Sequence, residues 1–118
     1  MGRMSADCLF CRIVAGAIPA AKVYEDPHVV AIRDINPQAP VHVLIVPRVH
    51  IESLNALDEC HGALMGRIIV VAAKLARDLG LAEGGYRLVT NCGPDAGQTV
   101  FHLHTHLLGG TPLSGRMG

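Results

Sequence analysis

Three histidines stand at every second position in the segment FHLHTHLLGG, residues 101–110. Because alternate side chains of a β-strand point to the same face, an extended conformation would place His102, His104 and His106 on one side of a sheet. Neighbouring imidazoles would then lie roughly 6–7 Å apart, which is twice the rise per residue of a strand. Such a row suits contacts along an anionic ligand, or two ligands of one metal ion.

The composition limits the partners that such a site can have. Of the 118 residues, 50% are hydrophobic and 17% are charged, and ten Lys and Arg residues balance ten Asp and Glu residues. A chain without net charge, with two Phe, two Tyr and no Trp, is not expected to bind nucleic acid or a membrane surface. The sequence has no apolar signal segment and no run of the ~20 apolar residues that span a bilayer. We therefore expect one cytoplasmic domain over residues 1–118, with reduced cysteines.

The pattern of apolar residues and turn residues predicts an α+β fold. Apolar residues at three- and four-residue spacings predict one long helix over 59–79, with Asp58 as its N-cap and Gly80 after its end. A short N-terminal helix is predicted over 8–15. About five strands are predicted, over 22–26, 29–34, 41–47, 86–91 and 102–108. Because no βαβ alternation is present, we expect the strands to be mainly antiparallel.

A glycine-rich loop, NCGPDAGQT, joins the last two predicted strands at residues 91–99. Glycine lets the main chain approach phosphate oxygens closely, and outward-facing backbone N–H groups bind anions. An ordinary hairpin loop is the alternative interpretation. Because this loop runs directly into the histidine segment, its N–H groups and the imidazoles can converge on one phosphate.

The segment GQTVFHLHTHLL, residues 97–108, resembles the signature of the histidine triad superfamily. The likeness extends through DINPQAPVHVLIVPRVHI (34–51) and CLFCRIVAGAIPA (8–20), and it looks most like the Hint branch of purine nucleoside phosphoramidases. Thr105 departs from the signature, which has an apolar residue there. The resemblance implies a HIT-like fold, a homodimer, and a hydrolase that cleaves the P–N bond of purine nucleoside 5′-phosphoramidates. AMP or GMP would be released through a nucleotidyl-histidine intermediate.

The resemblance also implies a role for each matching residue. His104 would be the nucleophile, His106 would contact the phosphate oxygens, His42 would support the nucleophile from beside it, and Thr99 would donate or relay a proton to the leaving group. Asp34 would accept hydrogen bonds from the ribose hydroxyls. The expected base slot consists of Phe10, Ile13, Ile18, Ile32 and Ile35. The expected phosphate site consists of Asn91, Gly97 and Gln98 with Thr99, His104 and His106.

A second site is suggested by the cysteines. Cys8 and Cys11 have the Cys-x₂-Cys spacing of metal ligands, and His50 with His102 can complete a tetrahedral set. Members of the family that look bacterial carry a structural zinc at matching positions, so we expect structural Zn²⁺ and no catalytic metal. Two reduced cysteines in a packed helix are the alternative. Cys60 and Cys92 have no partner at ligand spacing and are expected to be buried as small hydrophobic residues.

Other functions are compatible with parts of the pattern. A metalloenzyme of the cupin or carbonic-anhydrase type would use His102 and His104 as metal ligands, but cupins need further ligands downstream and the last glutamate is Glu83. A dinucleoside polyphosphate hydrolase of the Fhit type is the nearest enzymatic alternative. A nucleotide-binding regulatory protein with incidental hydrolysis is the third. The leaving group of the reaction stays open at this point.

Overall fold

A five-stranded antiparallel sheet forms the centre of the computed structural model, which describes residues 7–116. The ends of the predicted 1–118 domain, residues 1–6 and 117–118, lie outside the described residues. The spatial order of the strands is β1–β2–β3–β5–β4. In chain order the elements are α1 (Leu9–Val14), β1 (Lys22–Glu25), β2 (Val29–Arg33), β3 (Val41–Pro47), α2 (Gly62–Asp78), β4 (Tyr86–Val89) and β5 (Thr105–Gly109).

The long helix α2 covers one face of the sheet. The Asp58 side chain accepts a hydrogen bond from the backbone N–H of Cys60, and a 3₁₀ turn over Glu59–His61 leads into α2. Gly80 adopts a φ of 77° directly after the helix, as expected of a residue that ends one. The helix buries an apolar stripe against the sheet, formed by Ile68, Val71, Ala72, Leu75 and Ala76. The predicted helix is therefore confirmed, with its first turn in the tighter 3₁₀ form.

The opposite face of the sheet is covered by α1 and the segment that follows it. Phe10 and Ile13 pack there against Val30, Ile32, Leu44 and Val46. Because β2 and β3 are covered on both faces, they read as nearly continuous apolar runs instead of alternating ones. The bounds of β3 match the prediction. No helix within the described residues has the length and apolarity that a bilayer span requires.

The start of the last strand differs from the prediction. The sequence pattern predicts an extended segment over 102–108, but β5 begins only at Thr105. The backbone N–H of Leu103 donates to the carbonyl of Ile51 at 2.6 Å, beyond the end of β3, so residues 102–104 bond outside the sheet ladder. From Thr105 onward the alternation holds: Thr105 and Leu107 are buried on the α2 side, and His106 is half-buried on the other side.

Candidate active site

The three histidines separate into two locations. His104 and His106 line a cleft of about 320 Å³ on the α1 side of the sheet, and their ring centroids lie 5.2 Å apart. This is shorter than the expected 6–7 Å. His102 is fully buried outside that cleft, beside Cys8 and Cys11. The expected row of three along one ligand is therefore a pair, because contacts with Cys8, Cys11 and the Pro47 carbonyl hold the His102 ring outside the cleft.

The hydrogen bonding of His104 assigns its tautomer. Its Nδ1 lies 2.8 Å from the backbone carbonyl oxygen of His102. A carbonyl can only accept, so Nδ1 carries the proton, and in the neutral ring the lone pair is on Nε2. The ring of Phe10 packs edge-on against His104 with centroids 5.1 Å apart. His104 thus has one nitrogen held by the main chain and the other available as a nucleophile.

His42 and His106 form a directed chain of hydrogen bonds. The backbone N–H of Gln38 donates to Nδ1 of His42 at 3.0 Å, so the proton of neutral His42 must be on Nε2. That Nε2 lies 2.8 Å from Nδ1 of His106, which therefore accepts. The remaining proton of His106 is then on Nε2, where it can be donated to an anionic ligand in the cleft. The direct partner of His42 is thus His106, whereas the resemblance implied a position beside the nucleophile.

Burial keeps the imidazoles of His42 and His106 neutral. Burial, reinforced by His104 and His42, lowers the pKa of His106 to about 4. Burial also lowers the pKa of His42, and the Asp34 carboxylate opposes that shift. The Asp34 Oδ2 lies 3.4 Å from Nε2 of His42, and its Oδ1 accepts from the backbone N–H of Asn36 at 2.8 Å. Asp34 therefore combines the role of a turn residue with a position at the edge of the histidine cleft.

The glycine-rich loop is held in shape by Gln98. This side chain is buried, its Oε1 accepts from the N–H of Gly93, and its Nε2 donates to the carbonyls of Glu52 and Val100. Gly93 and Gly97 both have a φ of 83°, which L-residues with side chains rarely adopt. Because the oxygen and the nitrogen of the Gln98 amide both form hydrogen bonds within the protein, we expect Gln98 to hold the loop in its conformation and not to contact a ligand directly.

The cleft has an apolar floor and a polar end. The predicted residues that line it are Phe10, Ile13, Ile18, Ile32, Asp34, Ile35, Thr99, His104 and His106. Ile35 is fully exposed there. Asn91, Gly97, Gln98 and His42 are outside the lining.

Other lining residues were not predicted from the sequence. They are Leu9, Pro19, Ala20, Ala21, Arg33, Leu44 and Val100. Leu44 could have been found, because it shares a strand face with His42 two positions earlier.

Thr105, which departs from the family signature, is buried and hydrogen-bonded. Its Oγ1 lies 2.7 Å from Oγ1 of Thr90, the residue that follows β4 and precedes the glycine-rich loop. The two hydroxyls satisfy each other, so the departure leaves no unpaired polar group in the core. As expected, Thr105 points away from the cleft.

The four predicted metal ligands are brought together. The ligand atoms of Cys8, Cys11, His50 and His102 all lie within 4.8 Å of one another, although they come from three distant parts of the chain. His102 Nε2 lies 2.8 Å from the carbonyl of Pro47, so this nitrogen carries the proton and the Nδ1 lone pair faces the thiols. Two thiols and two imidazoles in this arrangement fit a tetrahedral zinc ion.

The other two cysteines are outside this cluster. Cys60 is exposed, so the expectation that it is buried is wrong. It lies in the 3₁₀ turn before α2, where the chain is at the surface. Cys92 is half-buried in the glycine-rich loop.

Comparison with known proteins agrees with this geometry. The family model of the HIT domain matches residues 15–113. The chain belongs to the HIT family. The purine nucleoside phosphoramidase of Escherichia coli strain K12 is 47% identical over 110 residues, which are 93% of this chain and 92% of that protein.

Solved structures show the same fold. A HIT family hydrolase from Legionella pneumophila is 47% identical to this chain and has a TM-score of 0.94. The match covers 95% of this chain and 100% of the Legionella chain. A HIT family hydrolase from Clostridium thermocellum is 50% identical to this chain and has a TM-score of 0.94. That match covers 97% of this chain and 99% of the Clostridium chain. The predicted α+β, HIT-like fold is therefore confirmed.

The assigned tautomers lead to a spectroscopic prediction. At pH 7, imidazole nitrogen shifts should report a protonated Nδ1 for His104 and a protonated Nε2 for His42 and His106. On acidification His106 should stay neutral until about pH 4. Because the folded state lowers the pKa of His106, neutral His106 contributes fully to the free energy of unfolding above pH 6.5, the ordinary pKa of histidine. This contribution is lost as the pH falls towards 4. A His106 midpoint near 6.5 in the folded protein would contradict this assignment.

Proposed function

We propose that this protein is a purine nucleoside phosphoramidase, folded as one HIT domain over residues 1–118. The observation that carries the proposal is the pairing of His104, whose Nε2 lone pair has no partner among the described residues, with His106, whose Nε2 keeps its proton. One ring can attack a phosphorus atom while the other donates a hydrogen bond to a phosphate oxygen. The 47% identity to the phosphoramidase of Escherichia coli supports the same reaction.

The proposed reaction has two displacement steps. In the first, Nε2 of His104 forms a bond to the α-phosphorus, the P–N bond breaks, and the departing amine nitrogen takes a proton donated or relayed by Thr99. In the second, a water oxygen forms a bond to the phosphorus of the nucleotidyl-histidine and the water proton returns through Thr99, while the bond to Nε2 breaks and AMP or GMP is released with the imidazole restored. The nucleophile and the group that relays the proton in both steps are side chains, so we propose no catalytic metal.

The nucleotide is proposed to bind along the cleft. The apolar floor, which includes Phe10 and Ile32, suits a flat purine base, and Asp34 at its edge suits the ribose hydroxyls. The phosphate would lie between His106 and the glycine-rich loop, and Asn91 and Gly97, which are outside the cleft lining itself, would contact it from that loop. The bond between Asp34 and the N–H of Asn36 leaves lone pairs on both carboxylate oxygens for a diol.

The cysteine–histidine cluster is proposed to hold structural Zn²⁺. A bound ion would cross-link the N-terminal segment, the end of β3 and the segment before β5. Such a link restricts the unfolded chain more than the folded one, so it adds stability. The protonated Nε2 of His102, bound to the Pro47 carbonyl, supports ligation through Nδ1.

A cytoplasmic homodimer is the proposed state of the protein. Ile69 and Val70 on α2 are 50% and 58% exposed, which is high for large aliphatic side chains. A Cβ atom placed on Gly62 or Gly66 of the same helix would meet no atom of the described residues within 4 Å, so no packing against that part of the chain explains these glycines. This open helix face supports close approach of a second copy.

Replacing the nucleophile gives the first test of this function. His104→Asn should abolish turnover of adenosine 5′-phosphoramidate, a loss of roughly 5 kcal/mol or more of transition-state stabilisation, while AMP binding is largely kept. Mass spectrometry of the wild type mixed with substrate should detect an adenylylated protein that the variant lacks. Turnover near the wild-type rate in the variant would disprove the mechanism.

Asp34 allows a test of ribose recognition. Asp34→Asn should weaken AMP binding tenfold or more, because a charge-assisted hydrogen bond contributes ~1.5–3 kcal/mol. The binding of 2′-deoxy-AMP should weaken less, since it offers one hydroxyl fewer. Calorimetric titration of both nucleotides measures the difference. Equal losses for the two would assign Asp34 to the turn alone.

The zinc site predicts stability without a role in the reaction. Chelation, or the pair Cys8→Ser with Cys11→Ser, should lower the melting temperature, and turnover below the new melting point should survive. Because zinc binds thiolate and neutral imidazole, metal retention should weaken as the pH falls. Elemental analysis of protein purified without a metal-affinity tag is the direct measurement. Less than about a tenth of an equivalent of zinc per chain would refute the site.

A further inference from the structure

A second cleft adjoins the proposed nucleotide cleft. It has a volume of about 410 Å³, and Thr99, Val100 and Leu9 line both cavities. Thr99 therefore stands at the boundary between them. We name this cavity the exit cleft; its remaining lining residues are Asp7, Cys8, His50, Glu52 and Phe101.

The proposed reaction directs the leaving group towards this cavity. In an in-line displacement the leaving nitrogen departs on the side of the phosphorus opposite to His104. The hydroxyl that protonates this nitrogen must lie on the same side, and in the proposed function that hydroxyl belongs to Thr99. Since Thr99 also lines the exit cleft, a substituent on the leaving nitrogen can extend into it.

The charges of the exit cleft favour a cation. Asp7 and Glu52 supply two carboxylates, and among the described residues 7–116 no Lys or Arg lines this cavity. Cys8 and His50 belong to the proposed zinc site, which would carry no net charge with Zn²⁺, two thiolates and two neutral imidazoles. The net charge of the described lining residues is then negative.

An exposed aromatic side chain adds to this preference. Phe101 lines the exit cleft and is 50% exposed, so its ring is available to a ligand. The faces of aromatic rings attract ammonium groups, and the neighbouring carboxylates attract them as well. The same lining would repel a leaving group that carries phosphates, such as the nucleoside polyphosphate released by a dinucleoside polyphosphate hydrolase.

We propose that the exit cleft is a leaving-group subsite for amines that carry a second positive charge. The inference rests on the proposed phosphoramidase function and specifies its substrate class. The substrates would be nucleoside 5′-phosphoramidates of diamines or of basic amines with a free ammonium group. The ammonium would lie near Glu52 and Asp7 while the P–N bond breaks beside Thr99.

Two substrates of equal length test this subsite. The adenosine 5′-phosphoramidates of diaminobutane and of pentylamine have the same number of heavy atoms in the amine, and only the first ends in an ammonium. For the wild type, kcat/KM should be about three- to tenfold higher for the diaminobutane conjugate, the size expected from one or two solvent-exposed ion pairs. The ratio should fall towards one at high salt, because exposed charges are screened.

Variants of the exit cleft identify the residues responsible. Glu52→Gln combined with Asp7→Asn should bring the ratio of the two substrates close to one, and Phe101→Leu should reduce it by about twofold. Glu83→Gln is the matched control, because Glu83 is an exposed glutamate in the turn between α2 and β4, outside the exit cleft. This control should keep the wild-type ratio.

The outcomes separate the subsite from the function itself. If the wild type hydrolyses unsubstituted adenosine 5′-phosphoramidate but has equal kcat/KM for both conjugates, the subsite is wrong and the phosphoramidase function stands. A preference that survives the double substitution, or that is insensitive to salt, also overturns the subsite. If the unsubstituted phosphoramidate is not hydrolysed, the proposed function fails. A dinucleoside polyphosphate turned over faster than the diaminobutane conjugate would overturn the cationic preference.

Discussion

The register between β3 and β5 is the constraint on which the candidate site depends. The two strands pair antiparallel, with Leu44 opposite His106 and His42 opposite Leu108. This offset brings His42 and His106 within 2.8 Å of each other on the cleft side. Slipping one strand by a single residue would turn its side chains to the other face and bring the histidines into the α2 core. The core residues on that face, such as Ile45 and Leu107, therefore stabilise the histidine pair as well as the fold.

The site presents hydrogen-bond dipoles to its ligand without building up net charge. The donors point in one direction, from the Gln38 N–H through His42 to His106 and on to the cleft. Burial lowers the pKa of both imidazoles, so neither needs a counterion at neutral pH. Such preorganised dipoles stabilise a developing negative charge without reorganising during the reaction.

Much of this structure could be predicted from local patterns, and the rest depends on contacts between distant residues. Apolar runs bounded by proline locate β3, and helical spacing locates α2, because both signals lie within one element. The cysteine spacing together with the family resemblance brings Cys8, Cys11, His50 and His102 to one place. The start of β5 differs from the prediction because the Leu103 N–H bonds to the carbonyl of Ile51. Residues 102–104 therefore make no hydrogen bonds of the kind that pair β5 with β3.

Other features of the site have no signal in the local sequence. The proton on each imidazole depends on a carbonyl or an N–H contributed by another segment. The engagement of Gln98 with the Glu52 carbonyl joins residues 46 positions apart. The exit cleft forms only where the N-terminal segment, the residues after β3 and the glycine-rich loop meet. No spacing rule within one segment could have indicated it.

The contact between Gln38 and His42 makes the main chain at position 38 part of the site. His42 accepts a hydrogen bond from the backbone N–H of Gln38, whereas the Gln38 side chain donates to the exposed carbonyl of Asn36. Most amino acids could therefore stand at position 38 without affecting the histidines. Proline is the exception, because it has no N–H to donate. The neighbouring Pro37 and Pro40 stiffen this turn. A third proline at position 38 would nevertheless allow His42 to take the opposite tautomer, which would reverse the direction of the hydrogen bond from His42 to His106.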